Sequence, residues 1–373
     1  MKEFELAPLA ADRLLSVLDG VPAIESVEVL DGVGEGRYVG EGGGTLHAEI
    51  VAVVRLTGGE AHSLIVDFKR VGHPRFGRLA AAWFGRRLPV AREEGLPNPY
   101  PVFAAPYVSD RGAAVAAEEG MGYFDLAGNA RLAFGPVYVE RSGHPNPDPE
   151  DRALASLFAP KTSRVSRALL AYPGRAWRLQ ELADEVDVSL GLVAKAKGSL
   201  LDAEYARDTE GGLVLADPDG LLDAWLAADR RRPKPRGYYS LDSVSEAERC
   251  IVDAAQSSGA RAALTSFSGA ERVAPHVRYS HASVLVEADA LEGVAERAGL
   301  RPVETGANVR FHEPYDDGAF YGAQDVDGVP VAHPVQLVLD LAREKGRGGE
   351  AAAHLRRHAL APTWADLRRP ARP

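Results

Sequence analysis

The spacing of apolar residues over residues 155–226 constrains the fold of this chain more than any other feature. It predicts a first helix that ends at Pro173-Gly174, a shorter second helix, a tight turn at 187–189 and a third helix that begins after Ser189. Two short strands around a Gly211-Gly212 turn follow. The apolar positions behind this prediction are Val165, Leu169, Leu170, Leu179, Leu182, Ala183, Val186, Leu192, Val193, Ala196, Leu200 and Leu201. This order of elements is that of a winged helix-turn-helix, a fold that commonly binds double-stranded DNA.

Basic residues gather on this part of the chain, although the whole sequence carries a net charge of −10. No acidic residue lies between Lys161 and Arg178, a stretch with five bases, and further lysines lie on the third predicted helix. Such side chains neutralise phosphates beside a DNA groove, and a glycine on the helix permits close approach. We therefore expect these residues to contact DNA: Lys161, Arg164, Arg167, Arg178, Ser189, Gly191, Lys195 and Lys197. The alternative is that the bases form a solvated face of a protein-binding module.

The length of 373 residues exceeds that of a usual single hydrophobic core, so several domains are expected. Two polar, proline-bearing stretches, 141–151 and 230–237, mark the predicted boundaries. They divide the chain into domains at 1–145, 146–236 and 237–373, and the predicted fold class is multi-domain α/β. The chain shows no secretion signal and no apolar run of membrane length, so we expect a cytoplasmic protein.

The amino-terminal segment predicts a helix, three antiparallel strands and then the order helix, strand, helix, strand. One predicted strand alternates so that Asp67 and Lys69 lie on the same face. Whether Glu49, on the preceding strand, joins them depends on the register of the hairpin. A two-residue turn sets Glu49 opposite Phe68, on the other face, whereas a three-residue loop sets it opposite Lys69 and beside Asp67. The sequence leaves both registers open.

This element order, with Glu49, Asp67 and Lys69, resembles the restriction-endonuclease-like fold whose motif is written PD-(D/E)xK, although no proline precedes the first acid. The resemblance implies a Mg²⁺-dependent DNA nuclease in which Glu49 and Asp67 bind the metal and Lys69 stabilises developing charge. The alternative is a surface ion pair between Asp67 and Lys69 on a fold that no longer cleaves DNA. Nearby, Asp125 and Asn129 are read either as ligands or as caps of a turn.

The carboxy-terminal segment predicts a third α/β domain that begins with a helix at 244–255. Its strands are predicted at 262–267, 282–287 and around 309–311, and further helices at 289–298 and 349–358. Glu287 and Asp289 follow a strand and could mimic the acid pair of a nucleotidyltransferase, so that fold is kept as an alternative for this domain. The single cysteine, Cys250, excludes an intramolecular disulfide and is expected to be a buried helix residue.

Three segments together resemble the AbiE-type antitoxins of type IV toxin–antitoxin systems, in particular the long forms described as transcriptional regulators. The segments are GYFDLAGNARL, the helices after FAPKTSR, and PYDDGAFYG with HPVQLVLDLAREKGRGGEAAAHL. The resemblance implies a winged helix that binds inverted repeats in its own promoter and a carboxy-terminal domain that opposes a nucleotidyltransferase-like toxin encoded nearby, without necessarily contacting it. Shorter members begin with the winged helix, so the nuclease-like domain before it is a departure from that pattern.

The leading hypothesis is therefore a regulator that binds duplex DNA and needs no cofactor. A nuclease that uses Glu49, Asp67, Lys69 and Mg²⁺ is the rival from the enzyme class, and a winged helix that binds a protein is the third reading. Helix-turn-helix regulators commonly dimerise, but no heptad pattern shows how this chain would do so, and the sequence leaves monomer and homodimer open.

Overall fold

The computed structural model describes residues 3–30, 38–39, 45–46, 48–146, 157–228 and 233–368. The chain divides into two compact units. The first consists of residues 1–151 with 202–204, and the second of residues 152–201 with 205–373. The predicted division into three domains stays a prediction, and the second unit contains most of the two that were expected after residue 145.

The first unit contains a seven-stranded mixed sheet in the order β1-β4-β5-β6-β7-β8-β9. The central pairs β5/β6 and β6/β7 are parallel, and the outer pairs are antiparallel. Its helices are α1 (Glu3–Leu18), α2 (Pro74–Glu93) and α3 (Asp110–Glu118), and its strands are β1 (Ile24–Val29), β2 (Tyr38–Val39), β3 (Thr45–Leu46), β4 (Ile50–Leu56), β5 (Ala61–Phe68), β6 (Pro99–Ala105), β7 (Gly122–Asp125), β8 (Ala130–Phe134) and β9 (Val137–Arg141).

Two apolar layers cover the two faces of this sheet. Helix α1 packs on one face, where Val66 and Phe68 of β5 are fully buried, and helices α2 and α3 lie on the other face with Ile65. Because β5 is buried on both sides, its sequence is almost continuously apolar, as expected for a central strand. An acidic residue such as Asp67 is exceptional in such a strand, and it lies on the α2 and α3 side.

The predicted elements of this unit agree with the structure in type and order, with ends that move by a few residues. Ser109 caps α3 through a hydrogen bond that its Oγ accepts from the backbone N–H of Gly112, and Gly120 follows the helix with a φ of 71°. The parallel β6/β7 pair across α3 is confirmed. The hairpins β2–β3 and β8–β9 were not predicted, and the Gly-rich loop expected at 40–44 and His47, the first residue of the second predicted strand, lie outside the described residues.

The second unit begins with three helices, a hairpin and a further helix. These are α4 (Pro160–Ala171), α5 (Leu179–Glu185), α6 (Leu190–Asp202), β10 (Ala206–Thr209), β11 (Gly212–Leu215) and α7 (Pro218–Ala228). An isolated antiparallel bridge joins Trp177 to Leu213, so the segment between α4 and α5 adds a third short strand beside the hairpin. Gly212 has a φ of 126°, and a Cβ there would lie 2.3 Å from the carbonyl oxygen of Trp177. Glycine is therefore required where the hairpin meets this bridge.

The rest of the second unit is a seven-stranded mixed sheet in the order β15-β12-β16-β14-β13-β18-β17. Its strands are β12 (Arg236–Tyr239), β13 (Ala262–Leu264), β14 (Ala282–Val286), β15 (Arg301–Pro302), β16 (Val309–His312), β17 (Gln324–Val326) and β18 (Val329–Val331), and its α-helices are α8 (Val244–Ser258), α9 (Ser266–Val273), α10 (Leu291–Arg297), α11 (Pro334–Leu341) and α12 (Gly348–Leu355). Shorter helical turns lie at Asp317–Phe320, Arg356–Leu360 and Ala365–Arg368.

Several expectations for this sheet domain were wrong. The strand predicted at 262–267 ends at Leu264, because helix α9 starts at Ser266. Four strands, β12, β15, β17 and β18, and helices α9 and α11 were not predicted. Cys250 is exposed rather than buried, since the buried face of α8 passes through Ala247, Ile251 and Val252. In the described residues, no helix is long and apolar enough to cross a membrane.

Candidate functional site

The exposed face of helix α6 consists mainly of small side chains. Its inner face consists of Val193, Ala196 and Leu200, all buried. The opposite face carries Gly191, Ala194, Lys195 and Gly198, all exposed and spaced by three and four residues as on one side of a helix. A Cβ added at Gly191 or at Gly198 would meet nothing within 4 Å. This face therefore combines one cation with a helix backbone that another molecule can approach closely.

Ser189 before α6 and Lys197 within it both have partners inside the chain. Ser189 is exposed, and its Oγ accepts a hydrogen bond of 3.3 Å from the backbone N–H of Leu192, so it acts as the N-cap. The Nζ of Lys197 lies 2.6 Å from a carboxylate oxygen of Asp208 on β10. The Asp208 side chain is 53% exposed and the Lys197 side chain 23%, so solvent partly screens the pair and its contribution to stability is small. Lys197 can thus exchange this partner for another anion at small cost.

Four further bases lie at the surface of the helices and the hairpin. Lys161 near the start of α4 and Arg178 at the N-cap of α5 are exposed. The guanidinium of Arg175 lies 3.7 Å from the ring centroid of Trp177 and pairs with Glu181. Arg207 on β10 is also exposed, and the sequence analysis did not include it among the DNA-contacting residues. The sequence feature that could have indicated a DNA contact by Arg207 is its position in a strand next to the Gly211-Gly212 turn.

Arg164 and Arg167 lie in a different place from the one expected. Arg164 donates from Nε and Nη2 to the two carboxylate oxygens of Asp316, at 2.6 and 2.9 Å. Arg167 is 3% exposed and donates to Gln336 Oε1 at 2.6 Å and to the Tyr315 hydroxyl at 3.2 Å. Both side chains therefore bind α4 to the sheet domain, and they are not among the residues proposed to contact DNA.

The ion pair between Arg164 and Asp316 is shielded from solvent, with side-chain exposures of 12% and 8%. Burial acts to raise the pKa of Asp316, but hydrogen bonds from Arg164 and from the backbone N–H of Gly318 outweigh it, and the pKa is lowered. The hydrogen bond to Asp316 is also the main reason that the pKa of Arg164 is raised. Both groups remain charged at neutral pH, and each depends on the other.

In the first unit, the acidic and basic residues singled out from the sequence do come together. The β4/β5 register pairs Ile50 with Val66, so Glu49 lies opposite Asp67, and neither of the two registers that were considered is the observed one. Glu49 Oε2 accepts from the backbone N–H of Phe68 at 3.4 Å, and the Nζ of Lys69 lies 2.7 Å from Asp67 Oδ1. Asp67 is 1% exposed. Two carboxylates and one ammonium thus share one face at the end of the hairpin.

The closeness of the two acids is visible in the protonation of Glu49. Its pKa is raised to about 7, first by burial and then by the negative charge of Asp67, while Lys69 acts in the opposite direction. Burial is the larger of the two causes that raise this pKa, and the neighbouring carboxylate of Asp67 adds to it. Carboxylate oxygens are the donors that Mg²⁺ prefers, so this pair fits a single hard cation.

The other acidic candidates serve the fold or lie at the surface. Both oxygens of the buried Asp125 accept hydrogen bonds, from the backbone N–H groups of Val108, Gly128 and Asn129 and from the Asn129 side chain. Asp125 is thus a turn cap, the second of the two interpretations considered. The carboxylate of Glu287 accepts hydrogen bonds from the backbone N–H and the guanidinium of Arg261. Asp289 is exposed. Among the described residues, no group of three or more His, Cys, Asp or Glu side chains is arranged to hold a metal ion.

These observations define a multi-domain α/β protein with a helical segment, a β-hairpin and a mixed sheet in its second unit. Residues 214–361 match a family described as "Transcriptional regulator, AbiEi antitoxin, Type IV TA system". The matched region runs from β11 to the turn after α12, so it covers the sheet domain and excludes helices α4 to α6 and the first unit. No curated protein and no solved structure matches the chain.

Proposed function

We propose that this protein is a transcriptional regulator that binds duplex DNA through a winged helix formed by α4 to α6 and the β10–β11 hairpin. The observation that carries the proposal is the exposed face of α6, where Lys195 is flanked by Gly191, Ala194 and Gly198. A helix with this surface can enter the major groove, because small side chains allow its backbone to approach the base edges. Lys161, Arg178, Lys197 and Arg207 are proposed to contact phosphates.

The two glycines on α6 favour a function over a structural role. Glycine in a helix interior is less stable than alanine by roughly 0.5–1 kcal/mol. At Gly191 and Gly198 no neighbouring atom would meet a Cβ, so packing within the chain does not require glycine. A surface that accepts this loss of stability at two positions of one face is typical of a close-approach contact with another molecule.

The family match supports the regulatory part of the proposal, because its description combines a transcriptional regulator with a type IV antitoxin. We propose that the chain represses its own operon and opposes a nucleotidyltransferase-like toxin encoded nearby. The matched sheet domain is the part proposed to act against the toxin. Growth rescue of cells that express the product of the adjacent gene tests this part separately from DNA binding, and no rescue by the chain would contradict it.

The direct test is a mobility-shift titration of the full chain on the duplex upstream of its own gene. We expect a saturable complex, weakened in the double variant Lys195→Ala with Lys197→Ala. The matched control is Arg249→Ala with Arg297→Ala, which removes the same charge from exposed positions of the sheet domain. Equal affinity of both double variants would contradict the proposed interface, and no complex at any salt concentration would contradict the function.

A second candidate function is favoured by the convergence of Glu49, Asp67 and Lys69. We propose as the alternative that the first unit is a restriction-endonuclease-like domain that cleaves DNA. Glu49 and Asp67 would hold Mg²⁺, which would supply Lewis acidity at the scissile phosphate, and Lys69 would neutralise charge on the phosphate oxygens. The support is that the two carboxylates share one face of the hairpin and that Lys69 lies 2.7 Å from Asp67.

Cleavage of a supercoiled plasmid in the presence of Mg²⁺ or Mn²⁺ tests this alternative. The expected result is nicking that is lost in Asp67→Asn and retained in Glu28→Gln, an exposed acid on β1 of the same unit. Activity that survives Asp67→Asn comes from a contaminant or another site and would remove the alternative. Absence of cleavage with either metal would do the same.

A further inference from the structure

A large cavity lies on one face of the sheet in the second unit. Its volume is about 1010 Å³, near the upper end of the range for small-molecule sites. The floor is formed by alternate residues of two parallel strands, Ser283 and Leu285 of β14 beside Arg310 and His312 of β16. Because Ser283 pairs with Arg310 and Leu285 with His312, these four side chains form a compact patch on one face.

The lining of this cavity is electropositive, in contrast to the acidic chain as a whole. Six lysines and arginines line it, against four carboxylates. Three of those carboxylates already have partners in the structure. Asp340 accepts from Thr265 and Gln336, Glu344 accepts from Ser266 and Arg310, and Glu313 lies 3.8 Å from Arg236.

The remaining cations have room for an anion. Arg278 and Lys345 are exposed residues that line the cavity, whereas Arg310 on its floor already donates to Glu344. His281, which also lines the cavity, has a lowered pKa because of its burial and the positive charge of Arg310. Guanidinium and ammonium groups that converge on one cavity are the usual partners of phosphate oxygens.

The same cavity offers apolar and aromatic surface. Phe267, Val277, Tyr279 and Leu285 line it, and Tyr279 is fixed by a hydrogen bond of 2.9 Å from its hydroxyl to Glu248. A cavity of this size with both basic and aromatic lining suits an organic molecule better than an inorganic ion. We propose that it binds a phosphorylated small molecule that carries a ring, with Arg278 and Lys345 as the phosphate-binding groups.

The cavity is connected to the proposed winged helix by hydrogen bonds. Tyr315 and Gln336 line the cavity. The Tyr315 hydroxyl lies 2.9 Å from Ser163 Oγ and accepts from Arg167, which also donates to Gln336. Ser163 and Arg167 belong to α4, so a ligand that changes the position of Tyr315 or Gln336 acts directly on that helix. The cavity is thereby assigned as an effector site, and this regulatory role rests on the proposed DNA binding.

Isothermal titration of the full chain without DNA tests the binding site alone. The probes are ATP, GTP, CTP, UTP and glucose 6-phosphate, with adenosine and pyrophosphate as partial ligands. We expect at least one of the five probes to bind with a Kd below about 1 mM and more tightly than adenosine or pyrophosphate. The distribution of affinities separates a nucleotide from a sugar phosphate.

The double variant Arg278→Glu with Lys345→Glu is expected to weaken this binding at least ~10-fold, since it reverses two charges at the phosphate. Arg249→Glu with Arg297→Glu is the matched control, and thermal unfolding verifies that both variants fold. No binding of any of the five probes, or equal binding by the two double variants, would overturn the site. Tighter binding of a single-stranded oligonucleotide that competes with the probes would also overturn it in favour of a nucleic-acid groove.

The regulatory role is tested by measuring the affinity for DNA with and without the ligand. The Kd for DNA is expected to change at least about five-fold at saturating ligand, and Ser163→Ala is expected to reduce this change while the ligand still binds. A ligand that binds without any change in the DNA affinity would overturn the regulatory role but not the proposed binding site. Failure to bind DNA at all would instead overturn the proposed function, and the titration without DNA would be unaffected.

Discussion

At the scale of single residues, the chain holds two acids whose environments differ sharply. Glu49 is buried beside another carboxylate, and its pKa is raised to about 7. Asp316 is buried beside a guanidinium, and its pKa is lowered. Burial acts to raise the pKa of both groups, and the charge of the neighbour decides the outcome. Each case leads to a prediction with a definite sign.

Glu49 is expected to make the protein less stable as the pH rises. Its pKa in the folded state, about 7, lies above the value of 4.5 for an unperturbed glutamate, so the folded state prefers the protonated form. The stability that this preference contributes is present below pH 4.5 and is lost as the pH rises through 7, by up to about 3 kcal/mol. Glu49→Gln should remove this slope, as measured by urea unfolding between pH 5 and pH 8. An unchanged slope in the variant would contradict the assignment.

Asp316 is expected to be essential to the stability of the second unit. Asp316→Ala leaves the Arg164 guanidinium buried without its main partner, which should lower the free energy of unfolding by about 3–5 kcal/mol. The neighbouring Asp317→Ala is the control, because the Asp317 side chain is 62% exposed and should cost less than about 1 kcal/mol. Chemical denaturation of both variants decides the matter, and equal losses would mean that the pair with Arg164 is not the cause.

At the scale of elements, helix α6 combines weak local stability with an exposed and accessible face. Gly198→Ala is expected to stabilise the chain by roughly 0.5–1 kcal/mol and at the same time to weaken DNA binding. The control is Gly293→Ala in α10, where a Cβ likewise meets nothing within 4 Å. It should give the same gain in stability with no change in DNA affinity. A Gly198→Ala variant that binds DNA as well as the control would count against close approach at this face.

The start of helix α11 depends on a neutral histidine. His333 Nδ1 accepts a hydrogen bond of 3.2 Å from the backbone N–H of Val335, which only the neutral ring can do. Burial, with a smaller effect of Arg167, lowers the pKa of His333 from 6.5 to about 4. Because the folded-state value is the lower one, this stability is present above pH 6.5 and is lost as the pH falls towards 4, by up to about 3 kcal/mol.

His333→Asn keeps an acceptor at the cap but removes the titration. Thermal unfolding of the variant between pH 7 and pH 4 should therefore show a shallower loss of stability than that of the original chain. Parallel pH profiles of the two proteins would show that another group is responsible.

Elements were predictable from the sequence where one local rule decides them. The capping by Ser109 and the glycine after it define the ends of α3, and the periodicity of Val193, Ala196 and Leu200 defines the buried side of α6. The register of β4 and β5 was not predictable, because it depends on how the residues at 57–59 turn. The start of α9 at Ser266 was missed because Ala-Leu-Thr-Ser-Phe is compatible with a strand until its tertiary partners are known.

At the scale of the whole molecule, the sequence could not show which bases face the solvent. Arg164 and Arg167 lie on α4 in a stretch without acids, so the local pattern favoured phosphate contacts. Their partners, Asp316 and Gln336, lie more than 140 residues away in the chain. The segment PYDDGAFYG was noted only for its resemblance to a family, and the fold is what brings Asp316 against α4. Lys195 has no such restriction, because its side of the helix is exposed.

The salt dependence of DNA affinity tests the central claim most directly. The claim is that exposed bases on and around α6 neutralise phosphates of a duplex. The logarithm of the binding constant should fall linearly with the logarithm of the salt concentration, and Lys195→Ala with Lys197→Ala should reduce the slope by up to about 2. The control Arg249→Ala with Arg297→Ala should leave the slope unchanged. If the lysine variant keeps the full slope, or if the control reduces it equally, DNA binding through this helix is contradicted.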